Sequence, residues 1–194
     1  LTGVGLFTPI LMLINAFAML AGSGGAPRAA IFMGKKDNDT AERIIGNCFT
    51  FIIICAVVLT AVFYVSAPQL LRWFGASDAT LPYALSYARI YILGSIFVLI
   101  VMAMNMFITT QGFAKISMLT TVIGAVINIV LDPIFIFVFN MGVRGAALAT
   151  VLSQAVGAVC ILHFLTGNTT IHRLKKANLR LDAKTIGPCV ALGI

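Results

Sequence analysis

Charge is what this 194-residue chain has least of: only 10% of its residues are Asp, Glu, Lys or Arg, against about 25% in an ordinary soluble domain. Acidic residues number six and histidines two, so few groups could serve general acid–base catalysis or hold a metal. The four cysteines (Cys48, Cys55, Cys160, Cys189) show neither CxxC nor Cys/His spacing, which leaves no zinc site or disulfide frame to predict. They are expected as small buried hydrophobes. No strand precedes the Gly22-Ser23-Gly24-Gly25 patch, and Gly34-Lys35 is followed by Lys36 with Ala29 upstream. A phosphate-binding loop is therefore excluded, and the glycine patch is expected to permit close helix approach.

Apolar residues fill the space that charge vacates. They make up 60% of the chain, and mean hydropathy is +1.05. A chain this short cannot bury so much apolar surface from water, so lipid is its main solvent, and a soluble enzyme or nucleic-acid module is excluded. The net charge of +7 belongs to the connections between apolar runs, where membrane proteins keep their orientation signals.

A hydrocarbon core of about 30 Å needs about 20 helical residues to cross it. Five runs qualify: about residues 1–21 with helix extending toward Phe32, the stretch between Arg43 and Arg72, that between Arg89 and Gln111, about 117–139, and about 143–165. Runs such as FIIICAVVL lack the alternation of a barrel strand. An all-α polytopic bundle is predicted, with five complete transmembrane helices and the start of another after Lys184. Basic residues concentrate in the 28–43, 111–116 and 166–184 connections, while only Arg72, Arg89 and Arg144 lie on the opposite side. The positive-inside rule puts the first three connections in the cytoplasm. The first span then enters from outside, so a preceding span is expected, and the chain is read as a fragment.

The connections carry further expectations. Asp39 or Thr40 is expected to cap the second span. Trp73 and nearby leucines between Ser66 and Tyr83 suggest a short interfacial helix. The segment His172–Lys184 is expected either to lie on anionic lipid or to act as a simple linker.

One acid falls inside a span: Asp132. An ionised Asp at mid-helix costs roughly 2.5–3.5 kcal/mol even on insertion scales, so it must bind a proton, bind a cation or pair with a base. Asn128, one turn earlier, shares its helix face. Pro133 has no amide hydrogen and frees the Ile129 carbonyl. Thr150 and, on the same face, Gln154 follow across a tight turn. Asp132, Asn128 and Thr150 thus form an all-oxygen set suited to Na+ or a proton. The alternative is a polar clamp in which Asp132 pairs with Arg89 and the neutral groups are interhelical hydrogen bonders. Asn105 lies in the third span, nearer the cytoplasm. Met102 and Met106, with Phe97, Met104, Phe107, Phe135, Phe137 and Phe139, are candidates to line a cavity for apolar cations.

Four stretches carry a family resemblance. NIVLDPIFIFVFNMGVRGAALATVLSQ (128–154) resembles the fifth and sixth helices of multidrug and toxic compound extrusion (MATE) transporters. GSGGAPRAAIFMGKKDNDTAERIIGN (22–47), LLRWFGASDATLPYALSYARIYILG (70–94) and NMFITTQG (105–112) are similar to other parts of that family. The resemblance implies that residues 1–166 are helices two to six of a twelve-helix protein. Residues 167–184 would be the cytoplasmic linker to a carboxy-terminal lobe, and 185–194 the start of helix seven. It implies export of amphipathic organic cations from the cell across the plasma membrane, in exchange for Na+ or H+, with no cofactor. By the same resemblance Asp132 matches a coupling acid on the fifth helix, with Asn128, Thr150 and Asn105 as polar partners. The family's first-helix acid has no counterpart in this chain. A lipid-linked oligosaccharide flippase of the same superfamily and a non-transporting membrane subunit are the alternatives.

Overall fold

The computed structural model describes residues 5–167 and 170–193. The starting residues of the first predicted span, 1–4, lie outside them. Its elements are α1 (Thr8–Gly34), α2 (Asn38–Trp73), α3 (Leu81–Thr110), α4 (Ala114–Pro133), a π-helical extension of α4 over Ile134–Val138, α5 (Val143–Thr166), a 3-10 turn (Lys176–Leu179) and α6 (Ala183–Gly193). No strand occurs among the described residues, and the five long helices, α4 counted with its extension, are apolar enough to cross a membrane. The predicted all-α bundle is therefore what forms.

Helix α3 is the hub, packed against α1, α2 and α5, while α4 leans mainly on α5 and α6 on α1. The core is built from Ile10, Ile14, Ile44, Ile52, Ile92, Leu99, Met104 and Phe107, all with essentially no exposed surface. Met104 and Phe107 are therefore packing residues. Phe137 and Phe139 are more than three-fifths exposed and face away from any interior cavity.

The glycine patch of α1 is a junction. A Cβ on Gly22 would meet Met106 Sδ at 2.7 Å, and one on Gly25 would meet Cys48 Sγ at 2.6 Å, so α1 lies flush on α3 and α2. A Cβ on Gly24 would collide with the Cys189 carbonyl oxygen of α6. Ser23 alone of the four turns toward open space, its hydroxyl donating to the Met19 carbonyl at 2.6 Å.

Three connections differ from expectation. Asp37, not Asp39 or Thr40, caps α2, accepting from the Thr40 amide at 3.1 Å. Its hydrogen bonds from Thr40 hold the carboxyl below the usual carboxylate range. No separate interfacial helix forms around Trp73. Helix α2 continues through Pro68 to Trp73, and the exposed indole sits on its last turn.

Residues 170–182 are docked as a strap on α2 and α3 rather than left free. Glu42, buried at the start of α2, ion-pairs with Lys175 and accepts from the Arg173 amide at 3.2 Å. Asn47 accepts from the Asp182 amide at 2.6 Å, and Thr50 donates to the Leu179 carbonyl at 2.7 Å. Gln111, at the end of α3, accepts from both Thr170 Oγ1 (2.7 Å) and the His172 amide (3.0 Å). The strap can bind because α2, with 36 residues, reaches about 54 Å at 1.5 Å per residue and outruns the bilayer core.

Candidate functional site

The candidate site is made where α4 loses its regular register. Pro133 cannot donate to the Ile129 carbonyl, and the chain continues with wider bonding: Phe139 donates to Ile134 and Met141 to Phe135, both near 3.0 Å. A π-type turn of this kind follows naturally from a missing donor. The chain then reverses through Asn140 and Gly142, both at positive φ. Gly145 lets α5 approach so closely that a Cβ there would lie 2.8 Å from the Phe135 carbonyl carbon. The first turns of α5 are thereby pressed against the end of α4, which sets Thr150 opposite Asn128.

Asp132, Asn128 and Thr150 come together. A carboxylate only accepts hydrogen bonds, so the Asn128 amide is assigned with its nitrogen toward Asp132. In that orientation Nδ2 is 3.3 Å from Asp132 Oδ2, and the amide oxygen is 3.2 Å from the Thr150 backbone nitrogen. The opposite orientation puts Nδ2 3.4 Å from Thr150 Oγ1. The Thr150 hydroxyl donates to the Ala146 carbonyl at 3.0 Å, which leaves its oxygen lone pairs available. Asp132 Oδ1 is buried and has no hydrogen-bond partner. Such an orphaned oxygen is costly unless a proton, cation or water meets it. The donor set is all oxygen, as Na+ requires. To offer its own oxygen to an ion, Asn128 would turn its amide.

The clamp with Arg89 is not made. Its guanidinium lies 5.7 Å over the ring of Tyr64 on α2, and Asp132 has no ion pair among the described residues. Asn105 belongs to a second polar cluster. It donates to the Ser117 carbonyl (3.2 Å) and Thr121 Oγ1 (3.1 Å) and accepts from Thr120 Oγ1 (3.3 Å). Thr121 is seven residues, about two helical turns, from Asn128 along α4.

Two cavities connect these clusters. The larger, about 880 Å³, lies between α1, α3, α4 and α5. Its walls include Asn15, Tyr91, Met102, Asn105, Met106 and Gln154. The smaller, about 230 Å³, is bounded by Asn128 and Thr150 at one end. It shares Val101, Thr121 and Gln154 with the larger. The Asp132 cluster thus adjoins, through shared walls, a chamber large enough for a drug-sized molecule. Among the described residues that chamber carries no charged side chain. Gln154, Met102 and Met106 are brought together on it.

Tyr87 and Tyr91 went unnoticed in the sequence. They stack at 6.0 Å with Phe7 edge-on to both. Their i, i+4 spacing on an apolar span was the available signal. Asn15, a polar residue in the first span, was another.

The MatE family model matches residues 1–134. The chain is 29% identical over 172 residues to multidrug export protein MepA of Staphylococcus haemolyticus (strain JCSC1435), covering 88% of this chain and 38% of that protein. It is 28% identical to the probable multidrug resistance protein YoeA of Bacillus subtilis (strain 168), covering 94% and 39%. The solved structure of a multidrug resistance MATE family transporter in its inward-facing conformation superposes with a TM-score of 0.92 at 30% identity, covering 98% of this chain and 44% of that one. The chain therefore spans about two fifths of the length of the relatives it matches. Its apolar helices and bacterial relatives make it a multi-pass protein of the bacterial plasma membrane. With more than half its length matched by the family model and its fold shared almost end to end, the chain belongs to the MatE family of membrane transporters.

Proposed function

We propose that the protein containing this chain is a secondary antiporter that exports amphipathic organic cations in exchange for Na+ or H+, with Asp132 as the coupling carboxylate. In this reading residues 1–166 are helices two to six of the amino-terminal lobe, 167–184 the linker and 185–194 the start of helix seven, joined to a carboxy-terminal lobe. The observation that carries it is the buried, unpartnered Asp132 Oδ1 beside Asn128 and Thr150, whose small cavity shares Val101, Thr121 and Gln154 with the larger chamber. A cation on Asp132 and an organic cation in the chamber compete for one negative charge in a low-dielectric setting, where like charges repel strongly. Exclusive occupancy of that kind is what couples two gradients. Asn128 and Thr150 position and solvate the ion, and Gln154, Met102 and Met106 offer the substrate an adaptable, mostly apolar wall. Asn105 acts on the substrate side, away from the ion.

A chamber without basic side chains among the described residues suits a cationic substrate better than a polyanionic lipid-linked sugar. A purely structural role loses its main support with Arg89 turned away. The test is gradient-driven efflux of a fluorescent organic cation from vesicles holding the full-length transporter. Asp132→Asn should abolish coupled efflux with expression and melting temperature retained. Undiminished efflux in that variant rejects the assignment.

A further inference from the structure

A second cavity lies apart from the chamber and the Asp132 cluster, sharing no wall with either. Helices α2 and α3 enclose an apolar furrow of about 510 Å³ lined by Ala56, Val57, Thr60, Tyr64, Leu93 and Ile96, with Ala61 and Val65 along its edge. Small side chains make it deep, since Ala56 on its floor is fully buried. Its walls are open, with Val57, Val65 and Leu93 each more than half exposed. Thr60, on the furrow wall, is already engaged with the Ile92 carbonyl and Ser95 Oγ of α3.

Its length and its mouth name the occupant. From Ala56 to Val65 the helix rises about 14 Å, close to one leaflet of a core about 30 Å thick. At the outer end stand the Tyr64 phenol and, stacked on its ring, the exposed Arg89 guanidinium. Among the described residues Arg89 has no carboxylate partner. The distribution of basic residues puts this end on the outer side of the membrane. An acyl-length apolar furrow ending at a guanidinium and a phenol matches a phospholipid, its chain in the furrow and its phosphate on Arg89. A planar guanidinium suits a phosphate through paired hydrogen bonds. We propose that this furrow is a specific phospholipid site of the outer leaflet, with Arg89 and Tyr64 as its phosphate ligands.

The test is native mass spectrometry of the full-length transporter, titrated separately with phosphatidylglycerol and with diacylglycerol of the same chains. The wild type should retain phosphatidylglycerol in preference to diacylglycerol. Arg89→Gln should weaken phosphatidylglycerol retention about tenfold, the scale of one charge-assisted hydrogen bond, leave diacylglycerol unchanged, and be partly rescued by Arg89→Lys. Ala61→Phe, which fills the furrow, should lower retention of both lipids. Melting temperatures near wild type for these exposed positions would exclude misfolding as the cause. Equal retention of the two lipids by the wild type, or unchanged retention in either Arg89→Gln or Ala61→Phe, overturns the site.

Discussion

At the scale of single residues, what matters is which hydrogen bonds each side chain can and cannot make. Asp132 has one carboxylate oxygen held by Asn128 and one with no partner. When Asp132 is ionised the Asn128 nitrogen faces it. Once protonated, the carboxyl becomes a donor and the amide can turn, handing its nitrogen to Thr150 Oγ1. In the proposed mechanism the Asn128 amide would relay the occupancy of Asp132. Thr150→Val removes an oxygen without changing volume, a loss of about 1 kcal/mol. In efflux assays over a series of Na+ or H+ concentrations, the half-maximal ion concentration should rise several-fold while the maximal rate is kept. A fall in the maximal rate alone would assign Thr150 to the substrate instead. In the strap, burial lowers the His172 imidazole below its ordinary value, with Glu42 opposing. A depressed histidine stabilises docking above its unfolded value of 6.5 and loses that contribution as pH falls through the folded value. Hydrogen exchange of residues 170–182 should accordingly quicken as pH drops below about 6.5, after correction for intrinsic rates, and His172→Gln should flatten that dependence.

At the scale of helices, the bundle is set by where backbones can touch. A methyl on Gly24 would strike the Cys189 carbonyl, whereas one on Gly124 would meet only the Ser153 carbonyl at an ordinary 3.7 Å. Gly24→Ala should therefore cost roughly 1–3 kcal/mol, the usual penalty of overpacking. Gly124→Ala should leave the melting temperature near wild type. Equal shifts in thermal unfolding of the two variants would contradict the α1–α6 packing described. Much at this scale was legible beforehand. Uninterrupted apolar runs of about 20 residues admit only helices in lipid, and Asn128, Asp132 and Thr150 could be brought together by counting turns either side of a tight reversal. The strap could not be read in this way. Its hydrogen bonds go from Asn47, Thr50 and Gln111 to main-chain groups more than 59 residues away, and nothing local in the sequence marks such partners. The interfacial helix at Trp73 failed for a related reason: Pro68 lies within helix α2 without ending it, so composition there did not mark a break. The choice between an ion site and a clamp with Arg89 could not be made from sequence, because linear depth gives a residue's height in the membrane but not the direction it faces.

For the whole molecule, the strap ties the start of α2 to the end of α3. Glu42 is the buried acid of this junction, and Lys175, half exposed, is its counter-ion. Glu42→Gln leaves Lys175 without its partner and weakens a charge-assisted bond to the Arg173 amide, a loss of roughly 1–3 kcal/mol. Exchange protection across 170–182 should fall while that of α3 is preserved. Unaltered protection of the strap would show that Glu42 does not hold it. In the proposed antiport, coupling would run through Val101, Thr121 and Gln154, which wall both the larger chamber and the small cavity beside Asn128 and Thr150. The most direct measurement is ion release from purified full-length transporter on addition of an organic cation, followed by a pH-sensitive dye and a sodium electrode. One proton or sodium ion should leave the wild type for each substrate bound, and none should leave Asp132→Asn. Release of the same size from that variant would contradict a coupling site at Asp132.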